Sequence, residues 1–184
     1  MGFTTTLPLS KETVRGYHAS GAWGNRTIYD IVRGHAEIRP DAAALTDSFQ
    51  TLSWRDLTGA TDSFAADLRE RGLVQGDSIF VGAPNRMETV IALLAASRDG
   101  FVCCPSPHRN HTVTELADMC RRASCAAYIH HPGHGSDAEG DEILDLIGEL
   151  QSLKYVYHLK PSNAGAPFAQ CLTEDVTVAK PAGN

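Results

Sequence analysis

Residues 76–105 read GDSIFVGAPNRMETVIALLAASRDGFVCCP, and this stretch decides the fold. Gly76 and Asp77 turn the chain into residues 78–82, a short run that is apolar on both faces, as in strands buried inside a parallel sheet. Asn85 then stands as the cap of a helix over residues 87–98, with Val90, Ile91, Leu93 and Leu94 on its buried side. Gly100 closes that helix, and residues 101–104 form a second buried strand ended by Pro105 and Pro107. A strand, a helix and a second strand within thirty residues make one βαβ unit.

The same alternation extends in both directions. Towards the N-terminus, Ser53 and Asp56 sit at capping-box spacing ahead of a helix whose apolar face is Leu57, Ala60, Phe64, Ala65 and Leu68, ending at Gly72. Before it, residues 42–46 and 49–53 read as a small hairpin about Asp47 and Ser48. Thr27 and Asp30 cap an earlier helix that Pro40 prevents from continuing, and Ser10 caps a short leading helix over residues 10–20. Towards the C-terminus, Thr112 and Glu115 cap a helix to about Ala123, residues 126–129 give a strand, residues 142–150 a helix and residues 155–159 a further strand. The fold class is therefore α/β, a doubly wound, mostly parallel sheet flanked by helices, with a small N-terminal hairpin. The expected organisation is an N-terminal arm over 1–26, an α/β subdomain over 27–160 and a tail over 161–184.

At 184 residues, 42% hydrophobic and 21% charged, the chain can bury one substantial core. A net charge of −6 and the lack of any Lys or Arg run exclude a polyanion footprint, so neither nucleic acid nor an anionic membrane is an expected partner. No apolar stretch spans a bilayer and residues 1–10 lack the regions of a secretory signal, so a cytoplasmic location is expected. Cys103, Cys104, Cys120, Cys125 and Cys171 lie mostly in apolar segments and read as free thiols, with nothing nearby to activate a thiolate. No Gly-x-Gly-x-x-Gly turn follows a strand, which disfavours a dinucleotide-binding domain.

Taken in order, several patterns resemble the opening of the adenylate-forming superfamily, the AMP-dependent acid ligases that include acyl-CoA synthetases, aryl-acid ligases and peptide-synthetase adenylation domains. Thr27-Ile-Tyr-Asp-Ile-Val and Arg39-Pro-Asp-Ala-Ala-Ala-Leu look like that family's first helix and strand, and Thr51-Leu-Ser-Trp-Arg-Asp-Leu57 like its first core motif. Gly72-Leu-Val-Gln-Gly-Asp77, Pro84-Asn85 and the helix, glycine, strand and proline from Leu93 to Pro105 continue the match, with Arg98-Asp99 and Cys103-Cys104 departing from the usual pairs. Tyr17, Gly21, Trp23 and His108-Arg109 are similar to ligases for aryl, alicyclic and fatty acids. The resemblance implies an enzyme that uses ATP and magnesium to turn a small carboxylic acid into an acyl-adenylate and then passes the acyl group to coenzyme A.

The family's phosphate loop, a Ser/Thr/Gly-rich stretch ending in Pro-Lys-Gly, has no counterpart here, because residues 162–168 lack the lysine and the hydroxyl pattern. Its adenine-binding, ribose-binding and catalytic-lysine motifs are absent too. The chain is thus expected to be an incomplete domain, inactive alone, whose partner is the remainder of a ligase and whose uncovered apolar face promotes self-association. The alternative is a naturally short, non-catalytic interaction module of the same fold. No residue is assigned a catalytic, cofactor-binding or metal role. His130, His131 and His134, with His108 and His111 nearby, read as a flexible exposed loop rather than a zinc or nickel site, and Asp137, Glu139, Asp141, Glu142 and Asp145 as helix-start acids rather than a calcium loop. Trp54 and Phe64 read as core, and Arg86 and Met87 as ordinary solvation and packing that could face the acyl pocket of a complete enzyme.

Overall fold

A computed structural model describes residues 10–107, 109–160 and 167–168. His108, Cys171 and almost all of the tail expected over 161–184 lie outside the described residues. Helix α1 (Lys11–Ala19) starts at Ser10, whose hydroxyl accepts from the Thr13 amide at 3.1 Å. Helices α2 (Ile28–Ile38) and α3 (Trp54–Glu70) open on capping boxes, Thr27 with Asp30 and Ser53 with Asp56, as their sequences require. Each box satisfies two amides that a helix start otherwise leaves without partners. Between them, β1 (Ala43–Thr46) and β2 (Thr51–Ser53) form the antiparallel hairpin.

The central sheet comprises β3 (Ser78–Gly82), β4 (Val102–Pro105), β5 (Cys125–His130) and β6 (Tyr155–His158), all parallel, in the order β4-β3-β5-β6. Every residue of β3 and β5 is buried. Helix α4 (Met87–Asp99) carries the chain from β3 outward to β4, whereas α5 (Val113–Arg122) brings it back past β3 to β5, and α6 (Glu142–Ile147) continues that way to β6. Right-handed crossovers that reverse direction must lie on opposite faces of the sheet. Two buried clusters match: Phe64, Leu68, Ile79, Val81, Met87, Ile91 and Ile129 on the α3–α4 side, and Phe80, Leu116, Cys120, Tyr128, Ile143 and Val156 on the α5–α6 side.

Four local expectations change. The cap of α4 is Arg86 in extended conformation, not Asn85, and it makes no side-chain capping bond. Leu93 is 41% exposed, because it lies about 200° around the helix from Ile91, which faces the core. The strand after Gly100 is the sheet's edge rather than a fully buried strand, so Val102 is 43% exposed and the strand's inner residues are half-buried. Helix α6 stops at Ile147, where Gly148, a poor helix former, takes the C-cap position.

Two glycines are dictated by geometry. Gly100 ends α4 at φ 76°, the left-handed region that a Cβ penalises. Gly82 lies beneath the Tyr128 ring, so an added Cβ would fall 2.6 Å from Tyr128 Cζ and closer still to its oxygen. Tyr128 is fully buried between Phe80 and His130 and cannot move aside cheaply. Gly82→Ala should therefore destabilise the chain by about 1–3 kcal/mol in urea denaturation. The double change Gly82→Ala with Tyr128→Leu should cost less than the sum of its two single changes.

Candidate functional site

Because the crossovers reverse direction between β3 and β5, the segments that leave the carboxyl ends of these two strands turn to different faces of the sheet. In open α/β sheets this is the position where ligands are received. Gly82 ends one strand and His130 the other, and the His131 amide donates to Gly82 O at 3.1 Å. Arg86 follows β3 here and is 6% exposed. Its Nε and Nη2 donate to Glu88 Oε2 and Oε1 at 3.1 and 2.9 Å, and Nη1 donates to Lys160 O at 2.6 Å. The start of α4 is thereby tied to the chain leaving β6.

A cleft of about 510 Å³ opens beside Arg86, between the hairpin and the start of α4, lined by Leu45, Asp47, Ser48, Asn85, Met87 and Thr89 among others. Asp47 Oδ1 accepts from the Phe49 and Gln50 amides at 2.8 and 3.1 Å. Burial opposes ionisation of Asp47, but the amides of Phe49, Gln50 and Met87 and the charge of Arg86 outweigh it and hold the carboxyl below its ordinary range. A carboxylate from the hairpin thus sits at the positive end of α4, whose own residues supply no cap.

The histidines depart from the exposed loop expected of them. His130 and His134 are 1% and 2% exposed. His130 Nε2 lies 2.7 Å from Asp141 Oδ1, and His134 Nε2 lies 2.7 Å from Ser106 O. Burial depresses the pKa of both, partly offset by those bonds; His131 is likewise depressed, by burial and then by the charges of Arg86 and Arg109. Among the described residues no group of three or more His, Cys, Asp or Glu could hold a metal ion. The acids have separate duties: Asp137 accepts from the Val113 amide at 2.7 Å, Asp141 bonds His130, and Glu142 accepts from the Glu139 and Gly140 amides at 3.2 and 2.9 Å.

Phe64 packs against Phe168 and Tyr157 in the core, whereas Trp54 is half-buried against the core's edge beside His35 and Arg39, and neither lines the cleft. Cys103, Cys104, Cys120 and Cys125 are free. Burial pushes the Cys103 thiol up to about 12, far from a thiolate at neutral pH. The sequence reading missed the Arg86–Glu88 pair. Residues two apart do not meet on a helix, but Arg86 is extended and reaches Glu88 in the first turn.

The model of one family, "AMP-binding enzyme", matches residues 32–181, more than three-quarters of the chain. The chain belongs to the AMP-binding enzyme family. It is 33% identical to a salicylyl-CoA synthase / salicylate adenylyltransferase of Streptomyces sp over 65% of its length, and 31% identical to 2,3-dihydroxybenzoate-AMP ligase of Bacillus subtilis over 70%. It spans only 22% and 23% of those relatives. The solved structure of Mycobacterium smegmatis MbtA overlays on 95% of the chain with a TM-score of 0.67 at 22% identity, covering 32% of that protein, and shows the shared fold. In this AMP-binding family chain no described helix is long and apolar enough to cross a membrane.

The buried pair gives a direct test. Arg86→Met strips Glu88 of its cation inside the protein and should cost about 3–5 kcal/mol of unfolding free energy, whereas replacing both partners by apolar residues should cost much less. Chemical denaturation of these two variants beside the unaltered chain measures this.

Proposed function

We propose that this chain is the N-terminal part of an ATP-dependent carboxylic acid ligase, which activates its acid as an acyl-adenylate. The observation that carries the reading is the family match over 32–181 on a parallel sheet whose strand order reverses between β3 and β5. The activities for which these relatives are named favour an aryl acid as substrate, and one of them, a salicylyl-CoA synthase, supports coenzyme A as acyl acceptor. ATP and magnesium belong to the complete enzyme, which we place in the cytoplasm.

Within the chain, the role is to scaffold. Over 27–160 it forms the subdomain, 1–26 the arm, and 161–184 the connection towards a phosphate loop. Stabilising the charge of a transferring phosphoryl or adenylyl group needs a phosphate cradle and a cation aimed at it. Arg86 has its three nitrogens engaged with Glu88 and Lys160, and Lys154 bonds Gly72 O and Asp77 Oδ2, both at 2.7 Å. We assign no residue of this chain to catalysis, cofactor binding or metal binding.

Acid-dependent exchange of labelled pyrophosphate into ATP, over a panel of aryl, alicyclic and fatty acids, tests the proposal. The chain alone should be inactive, and the complete polypeptide containing it should exchange fastest with aryl acids. Exchange by the chain alone, or a complete polypeptide that activates no acid, contradicts it.

A further inference from the structure

Residues 131–141 join β5 to α6 and close over the carboxyl edge of the sheet. The loop is held by the Ser136 amide on His111 O at 2.8 Å, the Val113 amide on Asp137 Oδ1 at 2.7 Å, and Arg109 Nη2 on Gly133 O at 2.5 Å. At its centre His134 is 2% exposed, with Nε2 2.7 Å from Ser106 O. A carbonyl only accepts, so Nε2 carries the proton and Nδ1 is bare. Nδ1 is buried and has no hydrogen-bond partner among the described residues. A second proton must therefore land on a nitrogen that neither water nor an acceptor reaches.

Among the described residues no carboxylate bonds His134. Arg109 from the β4–α5 connection, His131 from the loop and His130 from β5 all bear on His134 with positive sign, and Arg86 from the β3–α4 turn bears on His131. Of the acids around the loop, Asp137 holds the Val113 amide, Asp141 holds His130, Glu142 holds the Glu139 and Gly140 amides, and Glu115 holds the Thr112 amide at 2.8 Å. From the start of α4, Glu88, paired with Arg86, opposes the depression of His131, and His111 and the exposed Glu139 are further titratable groups beside the loop. His130 differs in kind: its Nδ1 is equally bare, but Asp141 sits at 2.7 Å and can pair with its imidazolium.

We propose that His134 is an acid-operated latch: neutral, it pins the 131–141 loop to Ser106, and on protonation it releases the loop and uncovers the carboxyl edge of the sheet. Burial, and then the neighbouring positive charges, depress its pKa from 6.5 while the bond to Ser106 O opposes them. With a depressed value in the closed state, the open state binds the proton first. Closure is thus fully stabilised above about pH 6.5 and loses that stabilisation as pH falls through the closed-state value.

Amide hydrogen exchange of the 184-residue chain, normalised to intrinsic rates at each pH, tests the latch. Between about pH 7.5 and about pH 5, protection of the Val113, His134 and Ser136 amides should fall by on the order of tenfold or more, while amides of β3 keep theirs. His134→Gln retains a donor for Ser106 O and cannot ionise, so its loop should stay protected across the range. Unchanged protection in the wild type, or loss at the same pH in His134→Gln, overturns the proposal. Should that variant not fold, the His134 ring resonance in the wild type decides: loop opening must share its titration midpoint, and a midpoint shared with His130 or with carboxylates overturns the proposal.

Discussion

Parallel strands cannot be joined by tight turns, so each strand of this sheet needs a crossover that returns over one face. From that constraint the rest of the architecture follows. The chain leaves β3 towards one edge and comes back to β5 on the way to the other, so α4 must lie on one face and α5 and α6 on the other. The two strands at the reversal are buried on both faces and stay paired to their carboxyl ends, where the His131 amide donates to Gly82 O. Tyr128 over Gly82 locks the last turn of that pairing, because only a residue without Cβ fits beneath the ring.

What surrounds this carboxyl edge is positioned by polar groups that the crossovers bring in from a distance. Arg86 links Glu88 at the start of α4 to Lys160 after β6, across 74 residues of sequence. Asp47 reaches from the hairpin to a helix start that lacks its own cap. His134 bonds Ser106, and Asp141 bonds His130, so the loop after β5 is built inward. These contacts order that edge and engage Arg86, Asp47 Oδ1, His130 and His134 within the described residues.

The elements that were legible beforehand are those whose signals are local. Three capping boxes, Ser10 as a cap, the apolar runs of β3 and β5, and Gly100 as a helix stop are each set by a few adjacent residues, and each stands where the residues place it. The family resemblance was legible for the same reason, as a series of such local patterns in fixed order. Errors arose where tertiary context decides. Asn85 has the better cap chemistry, yet the ion pair with Glu88 draws Arg86 into the cap position. The glycines, histidines and acids after His130 look like solvent-exposed loop by composition, but bonds to Ser106, Val113 and His111 fold that stretch onto α5 and the sheet edge. Whether the strand after Gly100 lies inside or at the rim depends on strand order, which no local run of residues encodes.

The central proposal is that this chain serves as a scaffold for adenylation and does not itself hold the nucleotide. Calorimetric titration of Mg–ATP, into the chain alone and into the complete polypeptide that contains it, tests this most directly. The account predicts no saturable binding by the chain alone and saturable binding by the complete polypeptide. Saturable binding by the 184 residues alone, or none by the complete polypeptide, would contradict it.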